Sequence, residues 1–214
     1  NLKKFREEHK LFITEGTKIV NEFLHSKYKV KTIFASPDWL KQNELFLQRD
    51  HKEIIEINHI ELKKISSHST PQDVLAVVEI PDETNNTPVH QLLEKVANQT
   101  TIMLDKVSDP GNLGTIIRIA DWFGIVNIIC SDDCVDVFNP KVIQSTMGSI
   151  CRINVHYTNL LALLESNKII PVLGAVLNGK NIYKTSWPAS PLILLGNESK
   201  GISPELRPYI NHSI

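Results

Sequence analysis

The sequence predicts an α/β protein built around a parallel sheet that helices cover on both faces. Apolar strand candidates alternate with helix-forming segments over residues 99–214. Several of these strands, such as 192–195, are continuous apolar runs, which is typical of strands buried on two sides. A smaller α/β segment, residues 1–80, comes first, and a proline-bracketed polar linker with a lead-in helix, residues 81–98, follows it.

The first segment alternates helix and strand signals. Helices are predicted where apolar residues recur at helical spacing, or where Ser-Pro marks a helix start. The predicted helices are residues 2–10, 16–26, a helix beginning at 36, and 59–65. The predicted strands, rich in β-forming residues, are 11–14, 30–35, 53–57 and 74–80. Residues 1–80 therefore form a small α/β domain.

The second segment supplies the larger sheet. Its predicted strands are residues 101–104, 126–130, 153–156, 170–176 and 192–195. Its predicted helices are 114–123, 140–145, 160–166 and 204–209. Ligands of such sheets bind beyond the carboxyl ends of the strands, in the turns that lead to helices. The turns at 105–114, 174–179 and 196–201 are therefore the candidate binding segments.

Composition excludes several classes of protein. The 214 residues are 42% hydrophobic and carry 23 Lys+Arg against 24 Asp+Glu, an ordinary globular composition. Apolar runs of five or six residues fall far short of the roughly 20 that span a membrane, and no signal-peptide core is present. The cysteines Cys130, Cys134 and Cys151 form neither a disulfide framework nor a C-x-x-C pair. We expect a reduced, cytoplasmic protein with no membrane segment and no metal ion.

The charge is unevenly distributed along the chain. Residues 1–70 hold 13 Lys+Arg and 10 Asp+Glu, a balance of +3, whereas residues 71–214 hold 10 and 14, a balance of −4. The near-neutral total argues against a strongly basic nucleic-acid binder, but the first segment is slightly basic. A solvated surface is the simpler explanation of so small a difference.

The turn at residues 105–114 follows a predicted strand and begins a helix. An Asp-Pro-Gly sequence forms the turn, Asn112 is placed to cap the helix, and Arg118 follows one turn after Gly114. The free N–H groups of such a helix start suit an anion. Walker and dinucleotide-binding signatures are both absent. An ordinary capped helix with a surface arginine is the alternative interpretation.

The turn at residues 196–201 joins strand 192–195 to a Ser-Pro helix start. Gly196 allows a ligand to approach the backbone closely. Glu198 stands at the mouth of the sheet, where a carboxylate is either functional or simply solvent-facing. A generic strand-to-helix loop explains this segment about as well when it is considered alone.

Considered together, the two turns resemble the SpoU (TrmH-like) family of RNA ribose methyltransferases. Residues 109–118 are Asp-Pro-Gly-Asn-Leu-Gly-Thr-Ile-Ile-Arg, and residues 194–203 are Leu-Leu-Gly-Asn-Glu-Ser-Lys-Gly-Ile-Ser. Residues 139–142 (Asn-Pro-Lys-Val) and 145–149 (Ser-Thr-Met-Gly-Ser) resemble the family's middle segment. Residues 5–16 resemble the start of its substrate-binding domain, so the resemblance spans nearly the whole chain.

The resemblance implies a fold, a reaction and partners. The fold is a small RNA-binding α/β domain, residues 1–80, followed by a SPOUT-type α/β domain with a C-terminal trefoil knot, residues 99–214. The reaction is methyl transfer from S-adenosylmethionine to a ribose 2′-hydroxyl of rRNA or tRNA. The family works as a homodimer formed through the methyltransferase domain.

The resemblance also implies roles for particular residues. The catalytic positions are Asn112, Arg118 and Glu198. Because a guanidinium stays protonated, we expect Arg118 to hold the 2′-oxygen or a phosphate as a charged fork, positioned by Asn112 and Glu198. The donor-pocket positions are Leu195, Gly196, Asn197, Ala175 and Ile214. The clustered basic residues expected to contact RNA are Lys3, Lys4, Arg6 and Lys10.

The sequence departs from the family at its C-terminal end. The family's third motif, which supplies a Ser and an Asn to the active site, should begin near residues 211–214, so we expect the chain to be incomplete. An RNA-binding protein with an inactive methyltransferase-like domain is the first alternative. A generic nucleotide-binding α/β protein, independent of Asn112 and Arg118, is the second.

Overall fold

The computed structural model of the protein describes residues 3–47, 52–81 and 87–214. These residues divide into two compact units. The first unit comprises the described residues up to Pro81 together with Phe138–Cys151, and the second comprises the remainder up to Val137 and Arg152–Ile214. Residues 82–86 of the predicted linker lie outside the described residues.

The helices and strands agree closely with the predicted order. Among the described residues, the α-helices are α1 (Lys3–His9), α2 (Thr17–Leu24), α3 (Pro37–Gln42), α4 (Glu44–Leu47), α5 (His59–Ile65), α6 (Val89–Val96), α7 (Pro110–Trp122), α8 (Pro140–Thr146) and α9 (Leu160–Ser166). The strands are β1 (Leu11–Glu15), β2 (Val30–Ala35), β3 (Glu53–Glu56), β4 (Val74–Glu79), β5 (Thr101–Leu104), β6 (Asn127–Cys130), β7 (Asn154–Tyr157), β8 (Val172–Gly174), β9 (Leu192–Leu195) and β10 (His212–Ser213).

In the first unit, the described strands form a mixed sheet in the order β1-β4-β2-β3. Strand β4 is antiparallel to both β1 and β2, while β3 runs parallel to β2. Phe12 of β1 packs edge-on against Phe23 of α2, with ring centroids 5.4 Å apart. Phe138 lies 4.8 Å from the Phe12 ring, and α8 also contacts β1. These contacts explain why residues 138–151 belong to this unit.

In the second unit, the described strands form a parallel sheet in the order β10-β8-β9-β5-β6-β7. Every residue of β5 and of β6 is buried. Helices α6 and α9 pack against one another and contribute Leu92, Val96 and Leu163 to a core shared with the strands. The predicted parallel sheet covered by helices is thereby confirmed, whereas the trefoil knot stays a prediction.

Two element boundaries differ from expectation for identifiable reasons. Helix α7 begins at Pro110 rather than at 114, because Asp109 caps it: the Asp109 side chain accepts a hydrogen bond from Asn112 N over 2.8 Å. The predicted helix at 204–209 is only a 3₁₀ turn, Arg207–Tyr209. Pro208 lacks an N–H group, so it cannot continue an α-helical hydrogen-bond pattern. Within the described ranges, no helix is both long and apolar enough to cross a membrane.

Candidate active site

The candidate site lies at the carboxyl edge of the second unit's sheet. The loops that follow β8 and β9 enclose a cavity of about 770 Å³ together with the chain segment at Ile214. The predicted donor-pocket residues all line this one cavity: Leu195, Gly196, Asn197, Ala175 and Ile214. Residues that are far apart in the sequence converge here because parallel strands deliver their following loops to the same edge.

Glycine is required where the loop after β9 folds back on itself. A Cβ atom on Gly196 would overlap the carbonyl carbon of Gly201 and the backbone nitrogen of Ile202. The loop is closed by two backbone hydrogen bonds between Asn197 and Gly201, of 3.0 and 2.9 Å. Gly201 has a φ of 68°, in the left-handed region that favours glycine. The loop therefore cannot accept a side chain at Gly196 without opening.

The segment at Ile214 forms the opposite wall. Its backbone nitrogen donates to Gly174 O and its carbonyl accepts from Val176 N, both over 2.9 Å. A Cβ atom on Gly179 would overlap the backbone of Ile214, so the loop after β8 passes directly against this segment. Ile214 therefore reaches the cavity through β10, whose pairing with β8 the sequence analysis did not predict.

Asn112 and Glu198 come together across the site. The Asn112 side chain donates from Nδ2 to Glu198 Oε1 over 2.9 Å, although the two residues are 86 positions apart. Because Asp109 caps α7, Asn112 is not the capping residue, and the predicted capping role for Asn112 is wrong. Its amide is instead available to bind the carboxylate.

The charge state of Glu198 follows from this contact. The hydrogen bond from Asn112 lowers the pKa of Glu198, and the backbone N–H of Glu198 itself lowers it further. A glutamate carboxylate is ionised at neutral pH in any case, and the lowered pKa of Glu198 extends its ionised range to more acidic pH. Glu198 is thus suited to bind positive charge and is a weak proton acceptor at neutral pH.

Replacing Asn112 by alanine is expected to raise the pKa of Glu198 back toward an ordinary glutamate value. The reason is that the side-chain donor, the largest cause of the lowered pKa, is removed. A carboxylate with a depressed pKa stabilises the fold above its unfolded-state pKa and loses that contribution as the pH falls through the folded-state pKa. Because its folded-state pKa lies closer to the unfolded-state value, Glu198 in the Asn112→Ala variant should contribute less of this pH-dependent stability.

A carbon-detected NMR titration of the Glu198 carboxyl group measures this change. Glu205 is the internal control, since its pKa is lowered by its own backbone N–H and by Lys106, neither of which involves Asn112. If the Glu198 titration is unchanged in the variant, or if Glu205 shifts equally, then the Asn112 hydrogen bond is not the cause of the lowered Glu198 pKa.

Arg118 stands apart from this pair. It lies on α7 six residues after Asn112, which is about 9 Å along a helix axis. Its side chain is exposed and, within the described part of the chain, makes no hydrogen bond or ion pair. The structure therefore joins Asn112 to Glu198 but joins neither of them to Arg118.

Two residues at this edge were missed by the sequence analysis. Asp105, only 2% exposed, accepts a hydrogen bond at Oδ2 from Ser203 N over 2.6 Å. Lys106, with a φ of 58°, accepts at its carbonyl from Asn197 Nδ2 over 2.7 Å. The sequence feature that could have indicated Asp105 is its position directly after the apolar strand β5.

The predicted RNA-contacting residues lie on or beside α1 of the first unit. Lys3, Lys4 and Lys10 are exposed, and Lys3 lies 3.7 Å from Glu7. Arg6 is 7% exposed, so its side chain is not open to a phosphate in the way that the three lysines are. Arg6 is therefore a buried residue with a structural role, whereas the lysines beside it face solvent.

Metal-binding side-chain clusters and cysteines are the other groups that could carry chemistry. Among the residues that the structure describes, no cluster of His, Cys, Asp and Glu could hold a metal ion. No disulfide joins the described cysteines Cys130, Cys134 and Cys151, and all three are buried. A hydrogen bond from the Cys130 thiol, opposed in part by burial, lowers the pKa of Cys134 to about 7.

The fold and the site define a class of protein: a parallel α/β domain with a cavity of small-molecule size between loops at the carboxyl edge of its sheet, in a chain that also contains a second α/β unit. Residues 99–214 match the SpoU rRNA Methylase family, and residues 1–76 match the MRM3-like substrate binding domain. The chain therefore belongs to the SpoU rRNA methylase family. The family resemblance predicted from the sequence is confirmed.

Individual relatives agree with this membership. The chain is 31% identical over 211 residues to 23S rRNA (guanosine(2553)-2′-O)-methyltransferase RlmP of Bacillus subtilis, covering 95% of this chain and 78% of that protein. It is 32% identical over 155 residues to the mitochondrial rRNA methyltransferase 3 of Xenopus laevis, covering 72% of this chain but only 36% of that protein. The AdoMet-bound rRNA methyltransferase of Sinorhizobium meliloti superposes with a TM-score of 0.82 at 28% identity, covering 99% of this chain and 80% of that chain.

Proposed function

We propose that this protein is an S-adenosylmethionine-dependent RNA methyltransferase that modifies a ribose 2′-hydroxyl of rRNA or tRNA. The observation that carries the proposal is the cavity at the carboxyl edge of the sheet, which adjoins the hydrogen-bonded pair of Asn112 and Glu198. The RlmP relative is named for 2′-O methylation of 23S rRNA. That name favours ribosomal RNA as the substrate of this chain.

The cavity suits S-adenosylmethionine in size and in lining. A volume of about 770 Å³ lies within the range of about 300–1,000 Å³ that is typical of small-molecule sites. The loop at residues 195–202 lines one part of the cavity, and the ionised Glu198 among these residues adds a negative charge. The solved relative from Sinorhizobium meliloti carries AdoMet, which supports the same donor here. The donor supplies a methyl group that is already activated as a sulfonium.

The protein's own contribution is positioning and electrostatic stabilisation. Arg118 offers a permanently charged fork to the 2′-oxygen or a neighbouring phosphate, where negative charge develops as the hydroxyl proton passes to water. Asn112 orients the Glu198 carboxylate at the edge of the cavity through its side-chain hydrogen bond. Orientation of the acceptor oxygen supplies a large share of the rate enhancement in reactions of this kind.

Methyl incorporation into RNA tests the proposal directly. The full-length protein is incubated with labelled S-adenosylmethionine and total RNA from a strain lacking the gene, and the modified nucleotide is mapped. Label on a ribose 2′-oxygen is the expected result. Label on a base contradicts the 2′-O assignment, and RNA binding without any methyl transfer favours the alternative of an inactive methyltransferase-like domain.

The exposed lysines of the first unit are proposed to contact RNA phosphates. Replacing Lys3, Lys4 and Lys10 by alanine together is expected to weaken RNA binding and to reduce the slope of log affinity against log salt by about 2, because each phosphate contact on a single strand contributes about 0.7. Filter binding at several salt concentrations gives both quantities.

A control for the lysine experiment removes the same charge elsewhere. The matched variant replaces three other exposed lysines of the first unit by alanine: Lys41, Lys63 and Lys64. If this variant changes the affinity and the slope as much as the first one does, then the effect is one of net charge and the assigned contact surface is wrong.

We also propose a homodimer formed through the methyltransferase domain, in the cytoplasm. Helix α7 and the turn after it expose large apolar side chains next to Arg118: Ile119 is 49% exposed, Trp122 85% and Phe123 73%. A cluster of this kind on one surface is typical of a protein–protein contact. Light scattering of the purified protein is expected to give the mass of a dimer, and a monomer mass at micromolar concentration contradicts this part of the proposal.

A further inference from the structure

The loop after β9 and the turn after β5 are tied together by side-chain hydrogen bonds. We call residues 196–203 the donor loop, because they line the cavity or follow it directly, and residues 105–112 the catalytic turn, because they lead to Asn112. Besides the bond from Asn112 to Glu198, two further bonds connect them: Asn197 Nδ2 to Lys106 O, 2.7 Å, and Ser203 N to Asp105 Oδ2, 2.6 Å.

The Asn197 side chain uses both of its polar ends in this region. Its oxygen Oδ1 accepts from the backbone nitrogens of Ser199 and Lys200 over 3.0 and 3.1 Å, which shapes the donor loop. Its nitrogen Nδ2 donates to Lys106 O and, over 3.3 Å, to Glu198 Oε2. The oxygen of the amide therefore binds only within the donor loop, whereas its nitrogen also reaches the catalytic turn at Lys106.

The catalytic turn depends on outside contacts for its shape. Lys106 has a φ of 58°, a conformation that costs a non-glycine residue free energy unless surrounding groups hold it. The groups that hold it are Ser131, whose Oγ accepts from Lys106 N over 2.9 Å, and Asn197 at the Lys106 carbonyl. The direction of the chain at Lys106 sets where α7 begins and hence where Asn112 and Arg118 stand.

From this geometry we infer that Asn197 is a positioning residue that couples the donor loop to the catalytic turn. The inference rests on the proposed function and extends it: Asn197 acts through its side chain on Lys106 and not only as part of the cavity wall. Binding of S-adenosylmethionine against residues 196–201 fixes the position of the Asn197 backbone. Because the Asn197 amide is bonded to Lys106 O, the catalytic turn is then held in place as well. Asp105 and Asn112 provide further hydrogen bonds between the same two segments, to Ser203 and Glu198.

The variant Asn197→Asp separates the two halves of the contact. A carboxylate retains an oxygen for the Ser199 and Lys200 nitrogens, so the affinity for S-adenosylmethionine is expected to stay within about threefold of wild type. The nitrogen donor is lost and an oxygen faces the Lys106 carbonyl and Glu198, so kcat is expected to fall by about 10²-fold through misplacement of the turn. Asn197→Ala removes both halves and should weaken donor binding about tenfold as well.

Asn167 offers a matched control at the opposite edge of the same sheet. Its Oδ1 accepts from the nitrogens of Ile169 and Ile170, and its Nδ2 donates to Ile170 O over 2.7 Å. The Asn167→Asp variant therefore makes the same chemical change to the same kind of loop contact, before β8 rather than after β9. It should leave kcat at the wild-type value.

Hydrogen exchange measured by mass spectrometry gives a readout that does not require activity. In the wild type, S-adenosylmethionine should protect peptides of both the donor loop and the catalytic turn. In Asn197→Asp, the donor loop should remain protected, while the turn exchanges faster than in the wild type both with and without the donor.

The outcomes distinguish the inference from the function on which it rests. A wild-type protein that methylates no RNA contradicts the proposed function, yet the exchange of the donor-free turn still decides the inference. The inference is overturned if turn exchange is the same in Asn197→Asp and wild type, if kcat and donor affinity fall together in that variant, or if Asn167→Asp lowers kcat equally.

Discussion

Replacement of Arg118 by alanine is expected to slow methyl transfer by about 10²–10³-fold without destabilising the protein. The rate should fall because the variant lacks a charged donor aimed at the developing negative charge, and loss of one such donor has that order of effect. Stability should be unaffected because the Arg118 side chain is exposed and has no polar partner among the described residues. Single-turnover methylation of the mapped RNA and a thermal melt measure the two quantities.

Two companion variants sharpen this expectation. Arg118→Lys keeps the charge but loses the planar fork, so it should recover little of the rate if Arg118 binds two acceptor atoms at once. Thr115→Ala, one turn earlier on the exposed face of α7, should be nearly silent. Near-normal methylation by Arg118→Lys shows that Arg118 does not need to bind two acceptor atoms at once. A loss of stability in Arg118→Ala shows that the arginine has a structural role.

Replacement of Gly196 by alanine is expected to reduce the affinity for S-adenosylmethionine by about 100-fold or more. The added Cβ overlaps the backbone of Gly201 and Ile202 rather than a side chain that could move aside. The donor loop must therefore open, which distorts the cavity wall and is expected to destabilise the protein by about 1–3 kcal/mol, as overpacking typically does. Calorimetric titration with S-adenosylmethionine and urea unfolding give the two values.

Gly124→Ala provides the comparison for this experiment. A Cβ at Gly124 meets nothing within 4 Å, and the φ of 70° leaves only a conformational cost of about 1–2 kcal/mol. Donor affinity should be unchanged in that variant. If Gly196→Ala binds the donor as the wild type does, then the close approach of Gly196 is not what shapes the cavity.

Most of the fold could be predicted from local sequence patterns. The strands β5 and β9 and the helices α5 and α9 have the predicted limits, because each is a short apolar or amphipathic run bounded by polar or turn-forming residues. Helix α4, strand β10 and the start of α7 were not predicted correctly. Strand β10 is two residues long and exposed, so it has no hydrophobic period and depends on pairing with β8. The family prediction from residues 109–118 and 194–203 is confirmed by the match over residues 99–214.

The sequence by itself determined the family, the parallel sheet and the segments that form the candidate site. Periodicity and turn-forming residues act over a few positions, so they are visible in one chain. The tertiary structure decided which of those residues meet: Asn112 with Glu198, Asn197 with Lys106, and Asp105 with Ser203. It also decided that Arg6 is buried. These contacts join positions 86 to 98 residues apart, and only the register and order of the strands bring such distant groups within hydrogen-bonding distance.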